Sequence, residues 1–141
     1  MADARAMAHW STLPHADLAT TAAWMAPMLE QADCGHERVI ECGSVLMGKA
    51  GGYHLPEVGF ILQPDHRGQG IATEAMAAII PWLWTTSPVP ALTADVDPLN
   101  PASLRVLTKL GFVETHRAAR TFNLGGVWAD SVYLRLDRLL A

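Results

Sequence analysis

The sequence predicts an α/β (α+β) fold, a single domain in which helices flank a mixed central sheet. Its 141 residues suit one compact domain and are too few for two. Hydrophobic residues make up 50% of the chain and charged residues only 17%, which is the composition of a folded globular protein. Strand and helix patterns follow one another in the order β-β-α-β-α-β-β, which favours helices inserted between the strands of one sheet.

The first third of the chain is rich in alanine and weakly patterned. Apolar residues at helical spacing predict a helix over about residues 15–31, interrupted at Pro27: Leu18, Ala22, Met25 and Leu29. A short strand is predicted near residues 8–13. The run RVIECGSVLM over residues 38–47 predicts a buried strand, or two short strands broken at Gly43.

The middle of the chain has the clearest patterns. Three glycines and a proline over residues 48–56 predict a loop or hairpin turn. Apolar and β-branched residues over 57–63 predict a strand that Pro64 stops. A helix follows, in which Pro81 is expected to kink or shorten the last turn. Its apolar face is formed by Ile71, Ala75, Met76, Ile79, Ile80 and Leu83.

The last third predicts a strand, a helix and a C-terminal β-hairpin. Alternating apolar residues over 91–97 predict a strand that is half-buried on one face. Asn100 is expected to cap a helix with a proline at its first position, and Gly111 to end it. The apolar stripe of that helix is Leu104, Leu107 and Leu110. Residues 112–137 predict a long hairpin that turns near 123–126, with Trp128, Asp130, Val132, Leu134 and Leu136 on one side.

Charge and composition exclude several function classes. The formal net charge of −4 excludes a generic nucleic-acid-binding protein, which needs a basic face. The longest apolar stretch, residues 75–84, is far shorter than the ~20 residues that cross a membrane, and the N-terminal segment lacks the apolar core of a secretory signal. Cys34 and Cys42 form no disulfide framework, and the histidines lack metal-ligand spacing. We therefore expect no metal, buried free thiols rather than a zinc pair, and a cytoplasmic protein.

The most informative segment is QPDHRGQGIATEA, in which a strand passes through a glycine-containing turn into a helix. Such a turn directs backbone N–H groups and the positive end of a helix at one place, which favours a phosphate or pyrophosphate. The P-loop pattern fails because no Lys-Ser/Thr pair follows Gly70. The dinucleotide-binding pattern fits Gly68 and Gly70 but has Thr73 where its third glycine should be. The pattern Arg-x-x-Gly-x-Ala is satisfied by Arg67, Gly70 and Ala72.

This last pattern resembles the acetyl-CoA pyrophosphate loop, R-x-x-G-x-G/A, of the GNAT acetyltransferase superfamily. Residues 100–112, NPASLRVLTKLGF, are similar to the family's N-x-x-S…K-x-G-F segment. Gly126, Trp128, Asp130 and Tyr133 are similar to the closing strand of its RimJ/RimL-like branch, which acetylates protein N-terminal amines or small-molecule amines. The resemblance covers about Arg38 to Leu136 and implies acetyl-CoA as cosubstrate and an amine as acceptor.

The resemblance also implies roles for individual residues in binding acetyl-CoA. Backbone amides of the loop would hold the pyrophosphate, namely those of Arg67, Gly68, Gln69, Gly70, Ile71 and Ala72. The strand residues Phe60, Ile61 and Leu62 would pair their backbone with the pantetheine arm, as an added strand would. Asn100 would hydrogen-bond that arm, and Ser103 would lie near the sulfur.

Acetyl transfer to an amine needs a base and a proton source. Glu57, at the start of the strand that leads to the loop, is the candidate general base, and its alternative role is that of a solvated strand-entry residue. In many family members a tyrosine four residues before the Gly-Phe pair acts as the general acid. This chain has Leu107 at that position. Ser103 is the substitute that the RimJ/RimL-like branch suggests. Its alternative role is that of a helix-start serine that satisfies backbone donors.

The resemblance predicts one domain over residues 1–141, with an acetyl-CoA-binding core at 38–137 and an abbreviated N-terminal part at 1–37. A GNAT domain normally opens with a strand, two helices and a second strand ahead of the segment that matches 38–47. The acceptor wall is then open or is completed by a second copy, so a homodimer is an expectation, as is a fragment that needs a partner to fold. Two functions follow: an amine N-acetyltransferase, or a non-catalytic acyl-CoA-binding or regulatory module.

Overall fold

The computed structural model describes residues 4–5, 7–8, 14–30 and 35–140. Three α-helices and six strands lie within these ranges. They are α1 (Leu18–Glu30), β1 (His36–Cys42), β2 (Val45–His54), β3 (Glu57–Leu62), α2 (Ile71–Thr86), β4 (Ala91–Val96), α3 (Pro101–Lys109), β5 (Val113–Leu124) and β6 (Val127–Asp137). A short 3-10 turn, Pro64–His66, connects β3 to α2. Among the described residues, no helix has the length and apolar character that crossing a membrane requires.

The described strands form one sheet in the order β1-β2-β3-β4-β6-β5. Neighbouring strands are antiparallel except β3 and β4, which are parallel and are connected through α2. The predicted mixed α/β sheet with a C-terminal hairpin, β5–β6, is therefore confirmed. β1 and β5 are the edges of this sheet, and the homodimer that such edges allow stays a prediction.

β3 and β4 diverge almost as soon as they meet. They share one registered pair, Glu57 with Thr93. On its other side β3 stays paired with β2 as far as Leu62, which lies opposite Gly48. From Gly59 onward, the edge of β3 that faces β4 thus has no strand partner among the described residues. This divergence divides the sheet into two three-stranded halves, β1-β2-β3 and β4-β6-β5.

The glycine-rich segment that the sequence predicts to be a loop is mostly a strand. Of residues 48–56, only the last two form the turn into β3, and the other seven lie in β2. A Cβ on Gly48 would lie 2.0 Å from the backbone oxygen of Ile61, and one on Gly51 would lie 2.1 Å from a backbone oxygen of β1. The prediction is wrong because glycine marks close approach of two backbones as well as turns.

The segment 38–47 forms two strands broken at Gly43, which was one of the two alternatives, but it is not buried. β1 is an edge strand whose residues are exposed or half-buried. Cys42 at its end is a free, exposed thiol, so the expectation of burial is wrong there, because an edge strand lies at the periphery of the core. Cys34 lies outside the described residues.

α1 confirms a helix in the N-terminal third, with two corrections. The helix continues through Pro27, because the carbonyl that loses its hydrogen bond belongs to the exposed Ala23 and can reach water. Leu18, on the predicted apolar face, is 83% exposed, whereas Trp24 is half-buried, so the weak periodicity misplaced the buried face. The strand predicted near residues 8–13 lies outside the described residues except at its first position, which is a turn.

The core lies between the sheet and the helices α2 and α3. The predicted apolar face of α2 is confirmed, since Met76, Ile79, Ile80 and Leu83 are buried. They belong to one cluster with residues from both halves of the sheet and from α3, including Ala50, Val58, Leu92, Ala94, Leu107, Val132 and Leu134. Pro81 does not shorten α2, because its exposed position again lets the freed carbonyl meet water.

α3 begins and ends as the sequence predicts. The Asn100 side chain caps it by accepting a hydrogen bond from the Ser103 N–H at 3.2 Å. Gly111, with φ of 94°, adopts the left-handed conformation that ends many helices. These two signals fix where Asn100 and Ser103 stand relative to the divergence of β3 and β4.

Candidate active site

Two cavities open where β3 and β4 diverge. The first has a volume of about 310 Å³ and lies between the end of β3, the turn that precedes α2, and α3. Its charged lining residues among the described chain are Arg67, Arg105 and Lys109, with no carboxylate, and we call it the basic cavity. Its remaining lining includes the backbone-rich segments 60–62, 70–73 and the residues Gly68, Asn100, Ala102, Ser103 and Val106.

The second cavity has a volume of about 620 Å³ and lies between the start of β3, the end of β4, the β5–β6 hairpin and α1. Four carboxylates line it, Glu57, Asp95, Asp97 and Asp130, and no described lining residue is basic. Its aromatic lining is Trp24, Tyr53, Phe60, Phe122 and Trp128. We call it the acidic cavity. An anion is favoured in the first cavity and a cation in the second.

The two cavities meet at three residues. Phe60, Asn100 and Ser103 line both of them. A molecule in the basic cavity can therefore contact a molecule in the acidic cavity at this junction. We call these three residues the junction.

The turn before α2 has the geometry of an anion site. Gly68 and Gly70 have φ of 73° and 79°, and a Cβ on either would meet no protein atom within 4 Å. The first N–H groups of α2, at residues 71–73, have no acceptor within the helix and face outward with its positive end. The Arg67 N–H, in contrast, donates to the Pro64 carbonyl at 3.2 Å and is used inside the turn. The loop can thus receive an anion through amides that follow Arg67.

Gln69 is the one predicted loop residue that does not line the basic cavity. Its side-chain Nε2 donates to the backbone carbonyl of Asp65 at 3.1 Å, which ties the turn together. The free edge of β3 at Phe60, Ile61 and Leu62, in contrast, lines the basic cavity as the predicted pairing requires.

Asn100 and Ser103 are joined by two hydrogen bonds at the junction. The Ser103 N–H donates to Asn100 Oδ1, so the Asn100 amide nitrogen Nδ2 is the atom that donates to Ser103 Oγ, at 2.9 Å. Because Ser103 Oγ accepts from Asn100, the serine keeps its own hydroxyl hydrogen for another acceptor. The two roles foreseen for Ser103 are therefore compatible: it belongs to the helix cap and presents a donor at the junction.

Glu57 lines the acidic cavity at the point where β3 leaves β4. Its partial burial raises the pKa of its carboxyl group above the ordinary value, the Asp95 carboxylate adds to the increase, and His54 opposes it. A carboxylate with a raised pKa is a stronger base near neutral pH than an ordinary one. The side chain is also partly exposed, so water can reach it.

The two tyrosines of the chain differ in their position relative to the cavities, which matters because the usual acid position holds Leu107. Leu107 is buried in the core and lines the acidic cavity. Tyr133 lines neither cavity and stacks on His116, with ring centroids 4.4 Å apart. Tyr53 does line the acidic cavity, and the sequence analysis missed it because it falls in the segment predicted to be a loop.

Further lining residues were also missed. Arg105 and Lys109 stand four positions apart on α3, a spacing that places both on one helix face and was a usable signal. Asp95 gave no such signal, because its position beside Glu57 depends on the register of two strands that are distant in sequence. Within the described ranges, no group of three His, Cys, Asp or Glu side chains is arranged to hold a metal ion.

Comparison with known proteins places these features in a family. The family model described as acetyltransferase (GNAT) domain matches residues 1–113. The probable N-acetyltransferase YjcK of Bacillus subtilis is 30% identical over 100 residues, which are 71% of this chain and 55% of that protein. The chain spans about half the length of the curated relatives it matches.

Solved structures share the fold at lower identity. YncA, a putative acetyltransferase from Salmonella typhimurium solved with its cofactor acetyl-CoA, is 20% identical with a TM-score of 0.76 and covers 95% of this chain and 82% of its own. Spermidine N-acetyltransferase from Vibrio cholerae, in complex with CoA and spermine, is 19% identical with a TM-score of 0.77 and covers 96% and 84%. At these identities the likeness establishes a common fold.

Proposed function

Because the chain belongs to the GNAT acetyltransferase family, we propose that it transfers the acetyl group of acetyl-CoA to a primary amine, on a protein N-terminus or a small molecule. The observation that carries the proposal is the meeting of a basic and an acidic cavity at Phe60, Asn100 and Ser103. The phosphates of acetyl-CoA are anions and an amine acceptor is a cation. Each reactant thus has a cavity of opposite charge, and the two would meet at the junction.

The basic cavity fits acetyl-CoA in three respects. The amides of Gly68, Gly70, Ile71 and Ala72, which line it, and the positive end of α2 suit the pyrophosphate. Arg67 has the predicted place beside that loop, and Arg105 and Lys109 add positive charge on the opposite wall. The free edge of β3 suits the amides of the pantetheine arm, which would take the place of an added strand.

Acetyl-CoA supplies an activated thioester, and the residues of the chain move the protons. Glu57 accepts a proton from the ammonium group of the acceptor, directly or through water, so that the nitrogen lone pair is free to attack. A carbon–nitrogen bond forms, the carbon–sulfur bond breaks, and the sulfur leaves as a thiolate. The Ser103 hydroxyl, whose hydrogen is not used by Asn100, gives a proton to that sulfur and takes up in exchange the second proton that the nitrogen loses on becoming an amide, so that free CoA thiol leaves and the serine stays neutral.

Three finer predictions belong to this proposal. The core over residues 38–137 holds acetyl-CoA, which is supported by the basic cavity lying wholly within it. The RimJ/RimL-like branch is supported by the closing motif, because Trp128 and Asp130 both line the acidic cavity. A cytoplasmic location is supported by the free thiol of Cys42, which a reducing compartment preserves.

The proposal is tested by measuring CoA release from acetyl-CoA with and without a panel of primary amines. Amine-dependent release, together with mass-spectrometric detection of the acetylated amine, supports it. A folded protein that binds acetyl-CoA in a thermal-shift experiment but turns over no amine would contradict it.

That last outcome defines the second candidate, a non-catalytic acyl-CoA-binding or regulatory module. The observation that favours it is Leu107, a buried apolar residue where relatives with a tyrosine acid would have their proton donor. The assay of CoA release distinguishes the two candidate functions, because turnover of any amine excludes the non-catalytic module.

The role of Ser103 gives a specific prediction. Ser103→Ala should lower kcat by about 100-fold, the lower end of the range for loss of a positioned proton donor. The Kd for acetyl-CoA, measured by calorimetry, should stay nearly unchanged, because the Asn100 cap retains the Ser103 N–H. Thr108→Ala is the matched control, since it removes a hydroxyl from α3 that bonds only the Leu104 carbonyl and lines neither cavity. Equal kcat for the two variants would exclude a catalytic role for the hydroxyl.

A further inference from the structure

The acidic cavity holds more negative charge than a single amine needs. One carboxylate, Glu57, is sufficient to deprotonate the acceptor. Three others, Asp95, Asp97 and Asp130, line the same cavity. Charged groups in a partly enclosed cavity attract counter-charge strongly, because the surrounding protein screens them less than bulk water does.

Asp95 is the carboxylate whose position relative to Glu57 is fixed by the sheet. Glu57 is registered with Thr93, so the two side chains leave the sheet on the same face. Asp95 lies two residues further along β4, on that same face and roughly 7 Å beyond Thr93 along the strand. The effect of Asp95 on the pKa of Glu57 is consistent with this closeness.

The Asp95 carboxylate is incompletely satisfied by the protein. Its Oδ1 atom is shielded from solvent and accepts no hydrogen bond in the described part of the chain. Partial burial raises the pKa of the Asp95 carboxyl group, and the nearby Ser131 hydroxyl opposes that increase. Ser131 is itself held by Thr121, at 2.6 Å between the two oxygens. A half-buried carboxylate with one shielded and unpartnered oxygen gains free energy from a cationic ligand.

In the described part of the chain, Lys49 and Arg120 contact aromatic residues that line this cavity. Lys49 forms an ion pair with Glu37 and lies over the Trp24 ring, 4.7 Å from its centroid. Arg120 lies over Trp128, 5.0 Å from its centroid. Neither side chain lines the cavity.

We propose that the acceptor carries a second positive charge a few bonds from the amine that is acetylated, and that Asp95 pairs with this second charge. The proposal rests on the proposed function, because it assigns the acceptor class of the same site. One ammonium group lies at Glu57 beside the junction, and the other lies at Asp95, further along β4. Asp95 is thereby a specificity-determining residue, and Glu57 remains the base.

The test compares three acceptors of equal chain length that differ at the far end. Putrescine has a second ammonium group, butylamine has a methyl group, and γ-aminobutyrate has a carboxylate. We expect kcat/KM for putrescine to exceed that for butylamine by at least about tenfold, the value of one well-placed charge pair, and γ-aminobutyrate to be the poorest. The preference for putrescine should shrink as salt is added, because screening weakens charge recognition.

Asp95→Asn separates recognition from chemistry. The substitution keeps the shape of the side chain and removes its charge. We expect it to lower kcat/KM for putrescine by about tenfold more than kcat/KM for butylamine, because butylamine has no second charge, so that most of the preference for putrescine is lost. It should also shift the acid limb of the butylamine pH profile to lower pH, because a carboxylate beside Glu57 is lost. Asp137→Asn is the control, because it changes net charge equally at an exposed position outside both cavities.

The outcomes distinguish this proposal from the proposed function. Absence of turnover with every amine overturns the proposed function. Turnover of putrescine and butylamine with equal kcat/KM, or an Asp95→Asn variant that keeps the putrescine preference, overturns only the second-charge proposal. A short peptide with a free N-terminus and no side-chain cation belongs in the same assay, and its being preferred over putrescine would also overturn the proposal.

Discussion

Replacing Glu57 with Gln is expected to lower kcat for amine acetylation by about 100-fold or more, the effect of removing a positioned general base. The side chain stands in the acidic cavity where β3 separates from β4, within reach of an acceptor that enters toward the junction. Glutamine keeps the shape and the hydrogen-bonding capacity of the side chain but cannot accept the proton. Binding of acetyl-CoA, which involves the other cavity, should not change.

The pH dependence of the wild type should identify the same group. Glu57 acts as a base only when it is ionised, so kcat/KM rises with pH through its pKa. Burial and the Asp95 carboxylate raise that pKa above the ordinary 4.5, which moves the rising limb of the profile to higher pH. In the Glu57→Gln variant, the residual kcat/KM should no longer show this rise with pH.

The same shift predicts a gain in stability for this variant. Because the pKa of Glu57 is higher in the folded than in the unfolded chain, ionisation of Glu57 destabilises the folded state. The destabilisation is absent below the ordinary pKa of 4.5 and complete above the folded-state pKa. Glu57→Gln should therefore raise Tm by about 1–3 °C at neutral pH and leave it unchanged below the ordinary pKa.

Glu41→Gln provides the control for both measurements, because Glu41 is exposed on β1 and lines neither cavity. A Glu57→Gln enzyme with the wild-type kcat and the wild-type pH profile would mean that the base is another group or the solvent. Loss of activity in Glu41→Gln as well would show that the effect reflects net charge instead of position.

Replacing Gly70 with Ala is expected to weaken acetyl-CoA binding by at least about tenfold, the loss of one hydrogen bond to a charged group. Gly70 precedes α2 in the left-handed conformation and lines the basic cavity. A methyl group there meets no protein atom, so only a ligand close to the backbone would be affected. At a ligand concentration of about 100 times the wild-type Kd, stabilisation should fall from about 2.7 to about 1.4 kcal/mol in a thermal-shift measurement.

Gly43→Ala is a matched control for that substitution. Gly43 also has a positive φ, of 61°, and a Cβ there would also meet no atom within 4 Å, but it lies in the β1–β2 turn away from the basic cavity. Both variants bear the strain of a left-handed alanine, about 1 kcal/mol, in the ligand-free protein. Equal acetyl-CoA responses in the two would show that the cofactor phosphates lie elsewhere.

The parts of the fold that were predictable are those that local signals specify. The apolar face of α2 repeats with helical period, and Asn100 and Gly111 mark the two ends of α3 by side-chain capping and left-handed backbone. The C-terminal hairpin has alternating strands around a glycine turn. Each of these signals acts within a few residues of the chain, so a single sequence is sufficient to read it.

β2 and the buried face of α1 were not predictable in the same way. A segment with Gly48 and Gly51 is typical of a loop in sequence. The glycines are instead required because the backbones of β1 and β3 approach β2 closely, and no local sequence pattern indicates that approach. Leu18 fits a helical stripe but is exposed. In both cases the outcome depends on which other element packs against the segment.

In the candidate site, too, the predictable residues are those that local motifs specify. The loop from Arg67 to Ala72 and the pair Asn100 and Ser103 were found from motifs that are continuous in sequence. Asp95 and Tyr53 were missed because they join the site only through strand register and through the position of β2. Sequence motifs therefore located the surface for the cofactor, whereas the acceptor surface required the three-dimensional arrangement.

The divergence of β3 from β4 has a consequence for folding and for local unfolding of the native protein. Each half of the sheet is continuous in sequence, residues 36–62 for one and 91–137 for the other. Three of the four strand pairs within the halves join consecutive strands, β1–β2, β2–β3 and β5–β6, so we expect the halves to behave as separate cooperative units. Amide hydrogen exchange without ligand should then show two levels of protection that meet at the open edge of β3. Acetyl-CoA, by bridging that edge and α3, should bring the two levels together.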